Sequence, residues 1–246
     1  MKSKKILTFS FSAIFLLSLL FAGPITTGQT APSQTNPDTD EVEPITPPAQ
    51  AMERLPNGDI KLGKVILRRE SKTLAFPAEI NMQEGLLEVL ISTPRGRLHE
   101  SLLKTEIKAF RLQTMLYLLG LHNGPRLPDD NGNQGSVVNL DIQWEKNGKK
   151  TTKPIEDFVL NKKKDRTMKR LGWAFVGSSI KDGKFMADVV GNIALLYSIG
   201  DTVLDTTSKF AMDDTVYFAN PEVTKPEVGT KVKVIVTPRK SEGNKE

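Results

Sequence analysis

The chain has 246 residues, no cysteine and a formal net charge of +5, so disulfides, thiolate metal sites, iron–sulfur clusters and a cysteine nucleophile are excluded. Much of the charge lies at the N-terminus, since the first 31 residues contain three lysines and no acid, which leaves 31 basic against 29 acidic side chains. A remainder so nearly balanced has no overall electrostatic basis for binding nucleic acid, and we expect no nucleic-acid partner.

Residues 1–23 have the pattern of a secretory signal peptide. Three lysines among the first five residues precede an uncharged apolar stretch, residues 6–23, as in signal sequences. The stretch is near the lower length limit for crossing a bilayer, so an uncleaved membrane anchor is the alternative. In either case the pattern predicts export to the periplasm or the exterior, with membrane contact only if the segment stays uncleaved.

Residues 24–56 contain seven of the fifteen prolines, surrounded by Thr, Ser, Gln, Asp and Glu. This composition cannot bury enough apolar surface to offset its ordering entropy, so we predict a disordered linker. The polar residues 240–246 are predicted to be a frayed tail. Because no second linker interrupts the stretch between, residues 57–239 are predicted to form a single domain.

Apolar alternation and turn signals predict many short strands in that domain. The predicted strands are residues 62–68, 73–80, 86–92, 138–144, 173–180, 185–190, 193–199 and 231–237. Pro77 cannot donate to a ladder, so its strand is predicted to be an edge strand or to be bulged there. Asn147 with Gly148, and residues 181–183, predict two tight hairpin turns.

Residues 109–121 are the main predicted helix. Arg111, Gln113 and Thr114 form its narrow polar face, and a helix apolar on most sides is usually buried, here against a sheet. Many short strands, tight turns and one such helix predict an α+β fold. We expect a mainly antiparallel β-sheet with one buried apolar helix packed against it.

Seven separated segments carry a resemblance to a known family. They are GLLEVL (85–90), GRLHESLL (96–103), LLGL (118–121), WAFVGS (173–178), DGKFMAD (182–188), DTVY (214–217) and PEVGT (226–230). Together they resemble the YdjY-like domain of exported bacterial proteins, over roughly residues 57–239 with the order preserved. The resemblance implies a β-rich exported module, and it brings no established activity or set of catalytic residues.

His99 and Glu100 are the first candidates for a ligand-binding site. On a strand their side chains point to opposite faces, and on a helix they are about 100° apart, so the two alone cannot chelate one ion. A metal-dependent site would need further carboxylates from loops, such as Asp182, Asp188, Asp213 or Asp214. The alternative is structural, with His99 hydrogen-bonded and Glu100 in a salt bridge.

Other polar patterns give weaker signals. Ser101 would share a strand face with His99, but the G-x-S-x-G elbow of a serine nucleophile is absent. His122 follows the helix, where a cation is favourable, and its spacing from His99 matches no zinc signature. Asp213 and Asp214 are interpreted as turn caps. Phosphate-binding loops are absent, and we predict no cofactor and no metal.

Two further features bear on binding. Trp144 and Trp173 are candidate ligand-binding residues as an aromatic platform, although Trp on an alternating strand is more often core. Residues 161–170 carry six cations and one acid, a pattern typical of a solvated surface or, as the alternative, of contact with a polyanion.

The sequence therefore favours an exported, envelope-associated, non-enzymatic module that binds an envelope protein or a small ligand. The first alternative is an envelope hydrolase or metal-dependent enzyme that uses His99 and Glu100. The second is a purely structural envelope component.

Overall fold

A computed structural model describes residues 52–223 and 226–239. The predicted signal peptide, residues 24–51 of the predicted linker and the predicted tail all lie outside these ranges. Within them, no helix is both long and apolar enough to cross a membrane.

The described residues form seventeen short strands and two short α-helices. The strands are β1 (Met52–Arg54), β2 (Ile60–Leu62), β3 (Val65–Arg68), β4 (Thr73–Ile80), β5 (Val89–Ser92), β6 (Ser101–Lys104), β7 (Val137–Lys146), β8 (Lys149–Pro154), β9 (Val159–Asn161), β10 (Arg166–Thr167), β11 (Trp173–Phe175), β12 (Ile180–Lys181), β13 (Lys184–Phe185), β14 (Asn192–Leu195), β15 (Leu204–Thr206), β16 (Tyr217–Ala219) and β17 (Lys231–Pro238). The helices are α1 (Ala109–Leu118) and α2 (Met186–Val190).

Eight of these strands close into a mixed β-barrel. Their order is β4-β17-β7-β11-β15-β14-β5-β6, and β6 pairs back onto β4. Most neighbours are antiparallel, but β5 with β6 and β14 with β15 are parallel. The fold is therefore mainly β, and the α+β prediction is corrected in two respects: the sheet is closed and mixed, and the helices are two and short.

The remaining strands extend or flank the barrel. β3, β2 and β1 continue outward from β4, and β8 forms a hairpin with β7. β10, β9 and β16 make a separate three-stranded sheet, and β12 and β13 make a two-stranded hairpin. β1 lies within the predicted linker, so that prediction is wrong for residues 52–54, which pair with β2.

Strict side-chain alternation builds the barrel core. Along β7 every second residue from Val138 to Trp144 is buried, and along β17 the same holds for Val232, Val234 and Val236. The register places Val236 opposite Leu140, so both rows face the same side, as the twofold period of a strand requires. They belong to one continuous hydrophobic core.

Pro77 lies in β4 at a point where only one side of the strand is paired. β17 runs along β4 with Lys233 opposite Pro77. On the other side β3 pairs only with residues 73–75 and β6 only with residues 79–80. Neither β3 nor β6 pairs with residue 77. Pro77, which has no amide hydrogen to donate, is therefore tolerated here as on an edge strand.

Helix α1 is shorter and less buried than predicted. It ends at Leu118, and its buried face consists of Ala109, Leu112, Met115 and Leu116. Tyr117 and Leu118 are 45% and 47% exposed, so the helix buries one face only.

Five of the predicted strands are wrong in part. Residues 86–92, 173–180 and 193–199 contain the shorter strands β5, β11 and β14, and the other two predictions differ more. Residues 62–68 divide into β2 and β3 because Gly63, at φ +60°, turns the chain between them. Residues 185–190 are mostly helix α2, which ends at Gly191 in the left-handed conformation, φ +77°. Glycine at that position is a common way for a helix to end.

Candidate functional site

The segment that contains His99 and Glu100 is a single 3-10 turn, Leu98–Glu100, on the surface. The His99 side chain is 78% exposed, and its Nε2 lies 3.8 Å from Oε2 of Glu100. Arg97 Nη1 lies 3.9 Å from the same oxygen. The two candidates are therefore neighbours, but their pairing is wide and largely open to solvent.

Glu100 has a second carboxyl beside it, that of Glu88. Burial, and then the charge of Glu100, raise the pKa of Glu88, while Arg97 lowers it. Arg97 also forms a direct ion pair with Glu88. These contacts make a small charge network in which Arg97 contacts both carboxylates.

Trp144 and Trp173 lie in the core. Trp144 is 8% exposed and meets Phe158 edge to face at 6.0 Å between ring centroids. Trp173 is wholly buried, and its Nε1 donates to Oε1 of Glu156 at 3.0 Å. The two indoles therefore offer almost no surface on which a ligand could stack.

The remaining candidates are dispersed. Ser101 is buried and donates to the carbonyl of Leu103, so it is not paired with His99. Asp188 accepts hydrogen bonds from the first two amides of α1, those of Ala109 and Phe110.

Asp213 accepts a hydrogen bond from the amide of Thr215 at 3.1 Å, the turn-capping contact predicted for it. It also forms an ion pair with Lys163, whose hydrogen bond lowers the pKa of Asp213 to about 2. Among the described residues no group of three or more His, Asp or Glu is placed to hold a metal ion.

The basic run gives rise to a concave site, which we call the basic pocket. It has a volume of about 270 Å³. Its cationic lining residues are Lys164, Arg166, Lys169 and Lys209. Each of these is exposed, and none forms an ion pair with another described residue, whereas Lys163 and Arg170 are paired with Asp213 and Asp141.

The floor of the basic pocket is polar and buried. Tyr217 and Ser208 are each 2% exposed, and the Tyr217 hydroxyl donates to Ser208 Oγ. Ser208 Oγ also accepts from the amide of Phe210 at 3.1 Å. Because that oxygen accepts two hydrogen bonds, the Ser208 hydroxyl hydrogen is available to an acceptor in the pocket.

Strand pairing assembles this pocket from two distant segments. Asn161, at the end of β9, lies opposite both Arg166 of β10 and Tyr217 of β16. The tight turn between β9 and β10 is fixed by Asn161, whose Oδ1 accepts from the amide of Lys164 at 3.1 Å. The three-stranded sheet thus places the cations of the basic run against the tyrosine and serine.

A second concavity, the His122 pocket, has a volume of about 560 Å³. His122 is held there by Ser136 Oγ at 3.0 Å from Nδ1 and by the Gln134 carbonyl at 3.2 Å from Nε2. Arg239 is the cationic residue of its described lining.

Comparison with known proteins identifies a family. The model of the YdjY domain matches residues 65–237, which is well over half of the chain, and confirms the resemblance found in the sequence. No curated protein and no solved structure matches the chain.

Proposed function

The chain belongs to the YdjY domain family, and we propose that it acts as a non-enzymatic binding module of the cell envelope. Its ligand presents an anionic group, which enters the basic pocket. The observation that carries this proposal is the charge of that pocket, because four cationic residues line it and its described lining includes no carboxylate.

Electrostatics supports an anion in this place. The cations around one concavity repel each other. An anion placed between them is attracted to each cation, and this attraction offsets the repulsion. Arg166 presents a planar fork of donors that suits phosphate or carboxylate oxygens, and the lysines add mobile point charges. The basic pocket therefore favours a compact anion over a neutral ligand of the same size.

The floor of the pocket supports the same conclusion. The Ser208 hydroxyl can donate to an anion from below, while the cations approach from the rim. Burial raises the pKa of Tyr217, so its hydroxyl stays protonated and continues to orient Ser208. Hydrogen bonds from the cations to an oxyanion are charge-assisted and strong, and the hydroxyl of Ser208 adds a neutral donor to them.

The cellular side of the proposal comes from the sequence. The basic and apolar residues 1–23 support export, and the composition of residues 24–51 supports a tether between the domain and the N-terminal segment when that segment stays uncleaved. An exported module has access to the anionic components of the envelope. In this proposal the partner is an envelope protein or a small ligand, and nucleic acid is not among the candidates.

The alternative of a hydrolase that uses His99 and Glu100 has less support. A general base needs a defined position next to its substrate, and the His99 side chain is 78% exposed with its carboxylate partner 3.8 Å away. The basic pocket offers a more enclosed and better-defined site.

Calorimetric titration of the full chain with inorganic phosphate and pyrophosphate tests the proposal. We expect pyrophosphate to bind more tightly than phosphate and to weaken as salt is added, because the contact is ionic. The double substitution of Lys164 and Lys169 by Ala is expected to weaken pyrophosphate binding by about tenfold or more.

The matched control replaces Lys149 and Lys150 by Ala. These lysines are also exposed, lie on the β7–β8 hairpin and do not line the basic pocket. Equal weakening by the two double variants, or no binding of either probe at millimolar concentration and low salt, overturns the proposal.

A further inference from the structure

The basic pocket and the His122 pocket are neighbours. Leu171 lines both of them, and the adjacent residues Thr207 and Ser208 line the His122 pocket and the basic pocket, respectively. A ligand larger than an inorganic anion can therefore extend from one concavity into the other across Leu171.

Apolar side chains line both pockets. They are Met168 and Phe210 in the basic pocket and Leu121 and Val137 in the His122 pocket. Leu171, which is 42% exposed, belongs to both linings. A single exposed leucine needs no explanation, but here it adds apolar surface where the two pockets meet.

Hydrogen bonds to its own backbone hold Leu171 in this position. Arg239 Nη1 donates to the Leu171 carbonyl at 2.6 Å and to the Arg170 carbonyl at 3.4 Å. The amide of Leu171 in turn donates to the Lys169 carbonyl at 2.8 Å. The leucine is thus presented by a fixed turn, so its exposure does not depend on a loose loop.

The size of the second pocket exceeds what an inorganic anion needs. About 560 Å³ falls in the range of small-molecule sites, roughly 300–1,000 Å³. Three of its lining residues, Leu121, Val137 and Leu171, offer apolar surface to a hydrocarbon chain, and its described lining includes no carboxylate. The combined surface therefore has one strongly cationic end and one roomier end of mixed lining with a single arginine.

We propose that the ligand is a single-chain anionic amphiphile. Its head group, a phosphate or another compact oxyanion, lies in the basic pocket, and its hydrocarbon chain crosses Leu171 into the His122 pocket. This inference rests on the proposed function, which supplies the head-group site. It adds that the rest of the ligand is a single hydrocarbon chain. Charge complementarity fixes the orientation, because the larger number of unpaired cations surrounds the basic pocket.

Titration with decyl phosphate below its micelle concentration, compared with inorganic phosphate, tests the inference. Each methylene group buried from water strengthens binding about fourfold, so decyl phosphate is expected to bind at least tenfold more tightly than phosphate. Because Leu171 lines both pockets, Leu171→Ser is expected to lower the affinity for decyl phosphate by a larger factor than the affinity for phosphate.

Ile180→Ser is the matched control. Ile180 is 59% exposed, lies on the β12–β13 hairpin and lines neither pocket, so its substitution is expected to change neither affinity. Equal affinity for decyl phosphate and phosphate, or equal effects of the two substitutions, overturns the amphiphile and leaves the anion site intact. Failure of phosphate and pyrophosphate to bind defeats the proposed function itself.

A vesicle arm separates a single amphiphile from a membrane surface. The protein is sedimented with vesicles that contain phosphatidylglycerol and, in a separate comparison, with neutral vesicles. We expect that any co-sedimentation of the protein with the vesicles is the same for wild type and Leu171→Ser. Binding to anionic vesicles that depends on Leu171, without tighter binding of monomeric decyl phosphate, overturns the inference in favour of membrane docking.

Discussion

Trp173 and Glu156 form a buried hydrogen bond inside the protein, with 3.0 Å between Nε1 and Oε1. The other carboxyl oxygen, Oε2, is buried and has no hydrogen-bond partner among the described residues. Burial raises the pKa of Glu156, and the hydrogen bond from Trp173 opposes that rise. The indole nitrogen is thus hydrogen-bonded to a carboxyl whose charged form is disfavoured by burial.

Glu156→Gln tests this relationship. The amide can still accept from Trp173, but it removes a charge that burial disfavours. Because the folded-state pKa is raised, wild type loses stability as pH rises through that pKa, whereas the variant does not. Urea unfolding is therefore expected to show that the free energy of unfolding of the variant rises relative to wild type as pH increases above the ordinary pKa of a glutamate. Glu145→Gln, at an exposed site on β7, is the control, and a gain independent of pH contradicts the prediction.

Asp205 is a second buried acid with a shifted pKa. Burial raises its pKa to about 6, against the hydrogen bond from Ser198 and the charge of Arg126. Its contribution to stability is present below the unfolded-state pKa and is lost as pH rises through 6. Asp205→Asn is therefore expected to raise the free energy of unfolding above pH 6, by up to about 3 kcal/mol.

The measurement for Asp205 is the difference in unfolding free energy between variant and wild type across that pH range. The difference isolates one group, because every other titration is common to both proteins. Asp130→Asn, at an exposed loop position, is expected to give a difference close to zero throughout. A flat difference for Asp205→Asn would mean that the buried carboxyl titrates near its ordinary value.

The paired carboxyls of Glu88 and Glu100 give a third prediction. Since the charge of Glu100 helps to raise the pKa of Glu88, Glu100→Gln is expected to lower the Glu88 pKa, as read from the pH dependence of its side-chain carboxyl signal by NMR. The effect on stability is expected to stay within about 1 kcal/mol because the substituted Glu100 side chain is 22% exposed and its ion pair with Arg97 is wide, at 3.9 Å. Glu84→Gln makes the same charge change at a nearby exposed site. An equal shift from both variants would contradict direct coupling.

The strands with strict alternation were predictable, and the barrel was not. β4, β7 and β17 follow the predicted ranges closely, and Asn147 and Gly148 make the predicted hairpin turn, both with positive φ. Barrel closure depends instead on strands of three or four residues, such as β5 and β15, that are buried at every position. A short run without alternation does not indicate its partners or their direction.

The candidate site was predictable only in part. The sequence pointed to the basic run of residues 161–170, which supplies Lys164, Arg166 and Lys169 to the basic pocket. Ser208, Lys209 and Tyr217 lie some forty residues later, and no local pattern connects them to the run. Pairing of β9 with β16 brings them together, and such a long-range register cannot be read from periodicity. The cellular location stays a prediction, and so do the domain boundaries apart from residues 52–54.

A close backbone crossing gives the last prediction. Gly191 has φ +77°, and a Cβ atom there would lie 2.3 Å from the backbone nitrogen of Gly96. The Gly191 carbonyl also accepts from the amide of Thr93 and from Ser92 Oγ, so the segment cannot move away without losing those bonds. Gly191→Ala is expected to cost about 2–5 kcal/mol, the sum of left-handed strain and steric overlap.

Gly183→Ala separates the two contributions to that cost. Gly183 has a similar φ, +72°, and a Cβ atom there would meet no other atom within 4 Å, so only the strain of about 1–2 kcal/mol is expected. Both variants are compared with wild type by urea unfolding. Equal losses would show that the crossing with Gly96 has room to relax. A larger loss at Gly191 identifies this contact as a point where β5 and β14 are locked together, since Ser92 and Asn192 are paired beside it.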